Sequence, residues 1–448
     1  MESSETAGKQ PVTKLEIQLD LIAGAFGESF GKQLFDDGTL DYLYVRGVIL
    51  VRDAYLAEVA RLLEEEDEPD ERGQEFVPVE GLLPGVSLFS VGARDVPRLL
   101  DKIDARLGVG VATPDHILSV SPVWACPATE PGAVPAGALP DPGPCAASGS
   151  GAFIYVADTG LLAGADAAHS WLAGVTGAVD PLQDQGGVTK IPDYAGHGTF
   201  IAGVARCMAP AAKVHVARDF DRAGAIAEHL IVLRLHEALG KSPDVINLSA
   251  GGSTRRDLPL LGFEAFWDSY RHRKGTVLVA AAGNNSSRRP FWPAAFPQVV
   301  GVGAVAANGR ARAHFSDHGP WVDVYAPGED LVNAFAVGTY DYREPPRAGT
   351  HHHFDGMASW SGTSFAAPLV AGLVAARVTA TGENGRQAAG SLLAQARAQH
   401  LPGVGPVLWP CDTGDCGDRL ACCCGGGCGC GCGGGGGGRY RAAGNCRC

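Results

Sequence analysis

Three short motifs carry side chains that could act together on a carbonyl group. Asp158 follows an apolar run, His197 lies between two glycines, and Ser364 follows a Gly-Thr dipeptide. A serine hydroxyl is a poor nucleophile at neutral pH and needs a neighbouring base to activate it. A histidine supplies the base, and an aspartate supplies the acid that orients the histidine. The residue types therefore indicate nucleophilic catalysis by serine.

Asn284 adds a polar side chain directly after another apolar run. Its amide N–H₂ group is a donor of the kind that stabilises an oxyanion in acyl transfer. Ser364 begins an apolar, helix-like pattern, and a helix N-terminus presents backbone N–H groups and the positive end of the helix dipole. Both features predict stabilisation of negative charge beside Ser364.

The elements that must position these residues follow an alternating pattern from residue 151 to 410. Short apolar runs indicate buried strands at Phe153–Ala157, Lys213–Ala217, Asp244–Leu248, Thr276–Ala281 and Val299–Val305. Helix-like patterns lie between them, as at Ala223–Leu239 and Leu260–Arg273. This alternation predicts an α/β fold, with a mainly parallel β-sheet covered by helices on both faces. Active sites in such sheets lie at the carboxyl ends of the strands, where the polar residues should therefore be found.

Taken together, the motifs resemble the active-site signatures of the subtilisin-like serine peptidases, the subtilases. The matching runs are Asp158-Thr159-Gly160, His197-Gly198-Thr199 with Ala202-Gly203, and Gly362-Thr363-Ser364 with Ala367-Pro368; Asn284 resembles the oxyanion asparagine of that family. The resemblance extends to the order Asp, His, Asn, Ser. It implies a subtilisin-like fold over 151–410 and a serine endopeptidase that hydrolyses peptide or protein substrates.

The resemblance also implies a role for each matching residue. Asp158 orients His197, which takes the proton from Ser364 and later gives it to the leaving amine. Ser364 forms the acyl-enzyme, and its backbone N–H binds the oxyanion together with Asn284. The chemistry requires no cofactor. Family members often bind structural calcium, but no metal ligand is assigned in this sequence.

Two segments are implied to bind the substrate. The segment Ser249-Ala250-Gly251 resembles the one that pairs with the substrate backbone as an added strand. With Ala281-Ala282-Gly283 it would line the pocket for the residue before the cut. Both walls consist of small residues, so we expect an open, apolar pocket without a selecting charge and a broad or apolar specificity.

The part before residue 151 divides into three regions. Residues 1–40 form an extension in which the alternating Leu15–Leu21 indicates a strand or an amphipathic entry segment. Residues 41–125 show a β-α-β-β-α-β order, typical of a small ferredoxin-like α+β domain. Many subtilases carry a removable propeptide of this order, so the domain is either a propeptide or a permanent accessory domain. Residues 126–150 are rich in Pro, Ala and Gly and predict an exposed linker, where self-processing would cut.

The composition limits the kinds of partner that the protein is expected to bind and the cellular compartment in which it is expected to lie. The net charge is −13 without a basic cluster, which argues against a nucleic-acid partner. No apolar run approaches the roughly 18 residues of a membrane-spanning helix, so no membrane partner is expected. The first twenty residues lack the features of a signal peptide, which predicts a cytoplasmic protein. An upstream signal lost through a misplaced start site would make it a secreted protein.

The run His351-His352-His353 is interpreted as a surface loop rather than a metal site.

Residues 411–448 form a Cys/Gly-rich tail that holds most of the 13 cysteines. Such a composition cannot form a packed core. Three interpretations remain open: a soft-metal thiolate cluster, a segment resembling a modified peptide whose cysteines become thiazoles, or a low-complexity extension without chemistry.

Two functions other than that of a peptidase are also considered for the chain. The chain could be a catalytically inactive binding protein on a subtilase fold, or a metal-binding protein through its tail.

Overall fold

A computed structural model of the chain describes residues 13–66, 78–120, 130–135, 138–140, 147–220, 223–273 and 275–410. The Cys/Gly-rich tail and about half of the linker lie outside the described residues. The N-terminal part contains the helices α1 (Lys14–Phe26), α2 (Leu56–Glu66) and α3 (Val96–Leu107), and the strands β1 (Phe30–Leu34), β2 (Leu40–Arg52), β3 (Pro78–Leu83), β4 (Val86–Ser90) and β5 (Ala112–Val120).

The alternating segment near the start is a helix rather than a strand. Thr13 precedes α1 and accepts a hydrogen bond from the backbone N–H of Glu16, while the Glu16 carboxylate accepts one from the backbone N–H of Thr13 at 2.7 Å. This reciprocal capping satisfies two backbone donors and starts the helix. Strand β1, which pairs with β2, was not predicted from the sequence.

The C-terminal part holds the remaining elements. Its strands are β6 (Phe153–Asp158), β7 (Leu161–Leu162), β8 (Thr176–Gly177), β9 (Val179–Asp180), β10 (Gln183–Gln185), β11 (Val188–Lys190), β12 (Lys213–Arg218), β13 (Ala225–Ala227), β14 (Val245–Leu248), β15 (Ala250–Gly251), β16 (Val277–Ala281), β17 (Val299–Val305), β18 (Val324–Pro327), β19 (Leu331–Asp341) and β20 (His351–Trp360). Its helices are α4 (Ala165–Ala168), α5 (His197–Met208), α6 (Glu228–Gly240), α7 (Leu261–Tyr270), α8 (Thr363–Thr381) and α9 (Gly385–Ala398).

The central sheet is parallel, as the alternating pattern predicted. Its strand order is β18-β17-β16-β14-β6-β12-β8, and every pairing along it is parallel. Alternate residues of β6 point to opposite faces, because side chains alternate along a strand. Val156 packs with α5 and α8 in one apolar core, whereas Tyr155 packs with α6 and α7 in another. Helices therefore cover both faces, which confirms the predicted α/β fold class.

A second sheet joins the two parts of the chain. Its strand order is β13-β5-β2-β4-β3, with β1 added to β2 and β15 added to β5. The residues of β13 were predicted to begin a helix, but they pair antiparallel with β5 instead. Strand β5 thus pairs with two short strands of the C-terminal part, β13 and β15.

Helix α8 forms the centre of the larger core. Contrary to the expectation that no apolar run approaches such a length, its length and its mean hydropathy of 1.4 would allow it to span a membrane, but 78% of that window is buried inside the fold. The helix is therefore a core element that packs on the parallel sheet.

Two further predictions differ from the structure. His351–His353 belong to strand β20 of the antiparallel pair β19–β20, not to a loop. Within the expected exposed linker, Glu130 is buried and accepts a hydrogen bond from the backbone N–H of Arg343 at 2.7 Å. Gly132 exchanges backbone hydrogen bonds with Ser359 at 2.7 and 2.9 Å. Residues 130–132 are therefore attached to the C-terminal part rather than exposed.

Candidate active site

Asp158 and His197 meet at the carboxyl end of β6. One oxygen of Asp158, Oδ1, lies 2.8 Å from His197 Nδ1 and also accepts a hydrogen bond from the backbone N–H of Thr159 at 2.8 Å. Both side chains are completely buried. A buried carboxylate is costly unless it accepts hydrogen bonds. The imidazole and the backbone satisfy Oδ1, whereas Oδ2 has no hydrogen-bond partner among the described residues. Because Asp158 accepts the hydrogen bond from Nδ1–H, Nε2 of the neutral imidazole is left to act as a base.

Glycines on both sides of His197 allow it to approach β6. Gly196 has a φ of 84°, in the left-handed region that favours glycine. A Cβ atom on Gly198 would lie 3.2 Å from Asp158 Oδ1 and would also contact the carbonyl oxygen of Gly160. Helix α5 can therefore begin directly against the end of β6 only because residue 198 has no side chain.

Asp180 supports the same region from β9. Its carboxylate accepts hydrogen bonds from the Gly196 backbone N–H at 2.7 Å and from the Thr159 hydroxyl at 3.1 Å. The Thr159 hydroxyl in turn accepts one from the Gly198 N–H at 3.2 Å. Burial raises the pKa of Asp180 to about 6. Asp180 and Thr159 thus hold both glycines that flank His197.

Ser364 is the second residue of α8, and Pro368 follows it by one helical turn. Proline has no backbone N–H, so the carbonyl of Ser364 lacks its usual helical donor. The Ser249 hydroxyl donates to that carbonyl at 2.8 Å, and Asn247 Nδ2 donates to the Ser249 hydroxyl at 2.9 Å. Because of Pro368, the Ser364 carbonyl is available to accept the hydrogen bond that links the Ser249 segment to the start of α8.

The packing of α5 against α8 brings the starts of the two helices together. A Cβ atom on Gly372 would lie 2.6 Å from the Ala205 carbonyl oxygen and 2.6 Å from Met208 Cβ, so the helices touch at this glycine. Near their N-termini the Phe365 ring lies 5.3 Å from the His197 ring. Helix packing therefore brings the start of α8, which bears Ser364, close to the histidine.

Asn284 turns its amide N–H₂ away from Thr363. The backbone N–H and the hydroxyl of Thr363 both lie 2.9 Å from the Asn284 side-chain oxygen. A backbone N–H can only donate, so the atom it contacts must be Oδ1. The remaining atom, Nδ2, is buried and has no hydrogen-bond partner among the described residues. An unpaired buried donor beside the start of α8 is suited to an oxyanion.

Asp317 holds the loop that follows Asn284. Its Oδ1 atom accepts hydrogen bonds from the backbone N–H groups of Asn285 and Ser287, each at 2.8 Å, and Oδ2 accepts one from Asn285 Nδ2 at 2.9 Å. Burial raises the pKa of Asp317 to about 7. The carboxylate thus fixes the backbone immediately after Asn284.

The six residues expected to bind substrate lie near Ser364 in two segments. Ala250 and Gly251 form β15, with Ser249 just before it, whereas Ala281 ends β16 and is followed by Ala282 and Gly283. Strand β5 runs antiparallel to β15, with Val120 opposite Ala250. The sequence-predicted segments therefore stand at the carboxyl ends of neighbouring strands, and one of them already pairs with an extended strand.

The pocket between these segments is filled, contrary to the open pocket that its small wall residues had predicted. The ring of Phe291 lies between Gly251 of one wall and Gly283 of the other. The prediction failed because it considered the walls alone, and Phe291 belongs to neither wall segment.

The acidic and histidine residues that the structure describes form no metal site through their side chains. Within the described ranges, no three His, Cys, Asp or Glu side chains gather closely enough to hold a metal ion. Calcium also binds carbonyl oxygens, so this observation concerns side chains only.

Sequence reasoning missed several residues of this region. Asp180, Asp317 and Phe291 lie in irregular or short segments, and no spacing relates them to Ser364. Thr363 stood inside a recognised motif, but its contact with Asn284 depends on the fold. Pro368 was visible within an apolar helical pattern, and a proline there signals a missing backbone hydrogen bond.

Comparison with known proteins identifies the family. The subtilase family profile matches residues 149–396, which is more than half of the chain. The chain is 34% identical over 244 residues to a thermophilic serine proteinase of Bacillus sp. (strain AK1), covering 50% of this chain and 52% of that protein. It is 31% identical over 238 residues to thermitase of Thermoactinomyces vulgaris, covering 51% of this chain and 75% of thermitase. The chain thus spans about half the length of the first of these relatives.

The fold has a counterpart among solved structures. Fervidolysin from Fervidobacterium pennivorans, a keratinolytic enzyme related to subtilisin, matches with a TM-score of 0.57 at 20% identity. The match covers 87% of this chain and 63% of fervidolysin, and at this identity it bears on the fold alone. The family profile and the thermitase match, together with a fold of this architecture, show that the chain belongs to the subtilase family.

Proposed function

We propose that the chain is a serine endopeptidase that cleaves peptide or protein substrates through Asp158, His197 and Ser364. The observation that carries this proposal is the buried 2.8 Å contact between Asp158 Oδ1 and His197 Nδ1, beside the start of the helix that bears Ser364. The membership in the subtilase family supports the same activity.

In the proposed reaction His197 Nε2 removes the proton from Ser364 Oγ, which attacks the carbonyl carbon of the scissile bond. Asn284 Nδ2 and the Ser364 backbone N–H donate to the oxyanion that forms. His197 then gives the proton to the leaving amine, and the acyl-enzyme remains. Water attacks the ester carbonyl as His197 takes its proton, and the return of that proton to Ser364 Oγ releases the acid and restores the enzyme.

We further propose that residues 41–125 act as a propeptide that occupies the cleft and is cut off by the enzyme itself. The support is strand β5, which pairs with β15 through Ser119 and Val120 and with β13 through residues 117–119. An extended substrate adding to β15 would compete for the same backbone groups. Cleavage is expected within the linker, residues 126–150, which follows strand β5. A permanent accessory domain is the competing possibility.

Intact mass compares these possibilities directly. Wild-type protein is expected to lose its N-terminal part, whereas Ser364→Ala stays full length. A fluorophosphonate probe should label Ser364 in folded wild-type protein and not in the variant. Labelling without shortening would make the N-terminal part a permanent domain. If folded wild-type protein is neither shortened nor labelled, the chain is an inactive binding protein on this fold.

A further inference from the structure

The side chain of Phe291 occupies the space between the two walls of the substrate pocket. A Cβ atom placed on Gly251 would lie against Phe291 Cε1 and 2.9 Å from Cδ1. A Cβ atom placed on Gly283 would lie 2.9 Å from Cγ and 3.0 Å from Cδ2 of the same ring. Both glycines therefore face one aromatic ring, and Phe291 is only 2% exposed.

The backbone around Phe291 is attached to one of these walls. Gly252 donates its N–H to the Trp292 carbonyl at 2.8 Å, and Trp292 donates its N–H to the Gly252 carbonyl at 3.0 Å. The Phe291 carbonyl accepts a hydrogen bond from the Ala295 N–H at 2.9 Å. With its backbone held on both sides, the ring cannot leave the gap without breaking these contacts or adopting another rotamer.

We infer that Phe291 is a specificity-determining residue that closes the pocket, so that the chain cleaves after glycine, alanine or serine and not after large residues. This inference rests on the proposed peptidase function and names its substrate class. A small side chain needs little room between Gly251 and Gly283, whereas an aromatic or branched one would overlap the Phe291 ring. The small residues of the two walls thus make room for the protein's own Phe291 ring.

Asp317 does not turn the pocket into one for basic residues. Its Oδ2 atom also lies beside the position of a Gly283 Cβ, so a carboxyl group is near the gap. However, both carboxylate oxygens already accept hydrogen bonds from Asn285 or Ser287. An arginine or lysine side chain would have to pass the Phe291 ring to reach them.

The test is a set of quenched fluorescent peptides that differ only in the residue before the scissile bond. The full-length protein is incubated until its mass is constant and then assayed with glycine, alanine, serine, leucine, phenylalanine and arginine at this position. We expect kcat/KM for alanine to exceed that for phenylalanine by about 100-fold, since pocket fit is worth one to two orders of magnitude. Equal or faster cleavage after phenylalanine, leucine or arginine would overturn the inference.

A pair of variants tests the assignment to Phe291. In Phe291→Ala the ratio of kcat/KM for phenylalanine over alanine peptides should rise about 10- to 100-fold. Phe296→Ala is the matched control, because this aromatic residue of the same segment packs with Phe263 and Trp267 instead. The control should leave the ratio unchanged. If Phe291→Ala fails to fold, Phe291→Leu replaces it, and an unchanged ratio in the folded variant would contradict the assignment.

Different results would contradict the peptidase function and the role of Phe291. Protein that cleaves none of the peptides and is not labelled by a fluorophosphonate at Ser364 contradicts the peptidase function, and the inference falls with it. Protein that is labelled at Ser364 but prefers large residues keeps the function and contradicts the role of Phe291 alone.

Discussion

The side-chain amide of Asn284 makes two different kinds of contact. Its oxygen accepts two hydrogen bonds from Thr363, and its buried N–H₂ group meets no partner among the described residues. Buried donors are rarely left unpaired in folded proteins. The unpaired donor fits the proposed role of Asn284, in which it binds an oxyanion that exists only during the reaction.

We expect Asn284→Ala to lower kcat by about 10²–10³ with little change in KM, because the lost donor acts in the transition state. Steady-state kinetics on an alanine-containing peptide measures both constants. Asn285→Ala is a control on the neighbouring amide, whose side chain contacts Asp317 instead. A rise in KM at constant kcat would assign Asn284 to substrate binding rather than to the oxyanion.

Thr363 positions that amide and the wall beside it. Its hydroxyl contacts Asn284 Oδ1 at 2.9 Å and accepts a hydrogen bond from the Gly283 backbone N–H at 3.1 Å. Thr363→Val keeps the shape and removes both bonds, so kcat should fall about 10-fold, the equivalent of one hydrogen bond. The measurement is a double-mutant cycle with Asn284→Ala. The effect of Thr363→Val should nearly vanish in the Asn284→Ala background, and additive effects would refute the positioning role.

Among the elements, the contact of α5 with α8 matters most, because one helix bears His197 and the other bears Ser364. The contact is made at Gly372, where a side chain would meet the Ala205 carbonyl and Met208. Backbone atoms cannot move aside as a flexible side chain can. The distance between the two helices therefore depends on this glycine.

Gly372→Ala is expected to destabilise the protein by about 1–3 kcal/mol, as overpacked cores do. Because the helices must separate, the histidine and the serine also shift, and a displacement of about 1 Å can lower turnover about 10²-fold. Thermal unfolding and peptide hydrolysis measure the two effects.

The matched control for this change is Gly390→Ala. Gly390 lies inside α9 and is exposed, and a Cβ atom added to it would have no neighbouring atom within 4 Å. Alanine there should raise stability by about 0.5–1 kcal/mol and leave activity unchanged, because glycine is a poor helix residue. Equal effects of the two substitutions would show that the α5–α8 contact is less tight than the structure indicates.

For the whole molecule, the notable feature is the charged contact between the N-terminal part and the C-terminal part. Ion pairs across it include Lys14–Glu344, Arg52–Glu264, Arg255–Asp104, Arg289–Asp41 and His229–Asp115. Asp115 is fully buried, and its two oxygens lie 3.1 Å from the backbone N and 2.6 Å from Nδ1 of His229. The attachment of β5 to α6 therefore includes a histidine whose pKa is raised by a buried carboxylate.

This contact should weaken as pH rises. Burial alone lowers the pKa of His229, but the hydrogen bond and the charge of Asp115 outweigh it, so that the net pKa is raised. A raised histidine pKa adds stability that is fully present below the unfolded value of about 6.5 and is lost as pH rises through the folded value. The neighbouring His116 does not charge in this range, because burial lowers its pKa to about 3.

The measurement is the unfolding temperature of Ser364→Ala, kept uncleaved, between pH 5.5 and 8.5, with and without His229→Gln. The variant should be less stable at pH 5.5, and the difference should shrink toward pH 8.5. A difference that stays constant with pH would show that His229 contributes by packing and not by its charge.

Much of the catalytic fold was predictable because its signals are local. The apolar runs that became β6, β12, β14, β16 and β17 have the length and composition of buried strands, and their alternation with helices implied a parallel sheet. Predictions that depended on pairing between distant segments were less successful. Residues 225–227 have a helix-like composition but form a strand, since β5 offers them backbone partners.

For the candidate site, the local sequence nominated Asp158, His197, Asn284 and Ser364 through their places beside apolar runs and through the resemblance of their motifs to those of the subtilases. Whether the pocket is open or filled could not be predicted from the local sequence. The segments expected to form its walls consist of small residues, yet the ring of Phe291 lies between Gly251 and Gly283. Which side chain enters a gap depends on how segments far apart in the sequence pack against one another, and no local pattern encodes that packing.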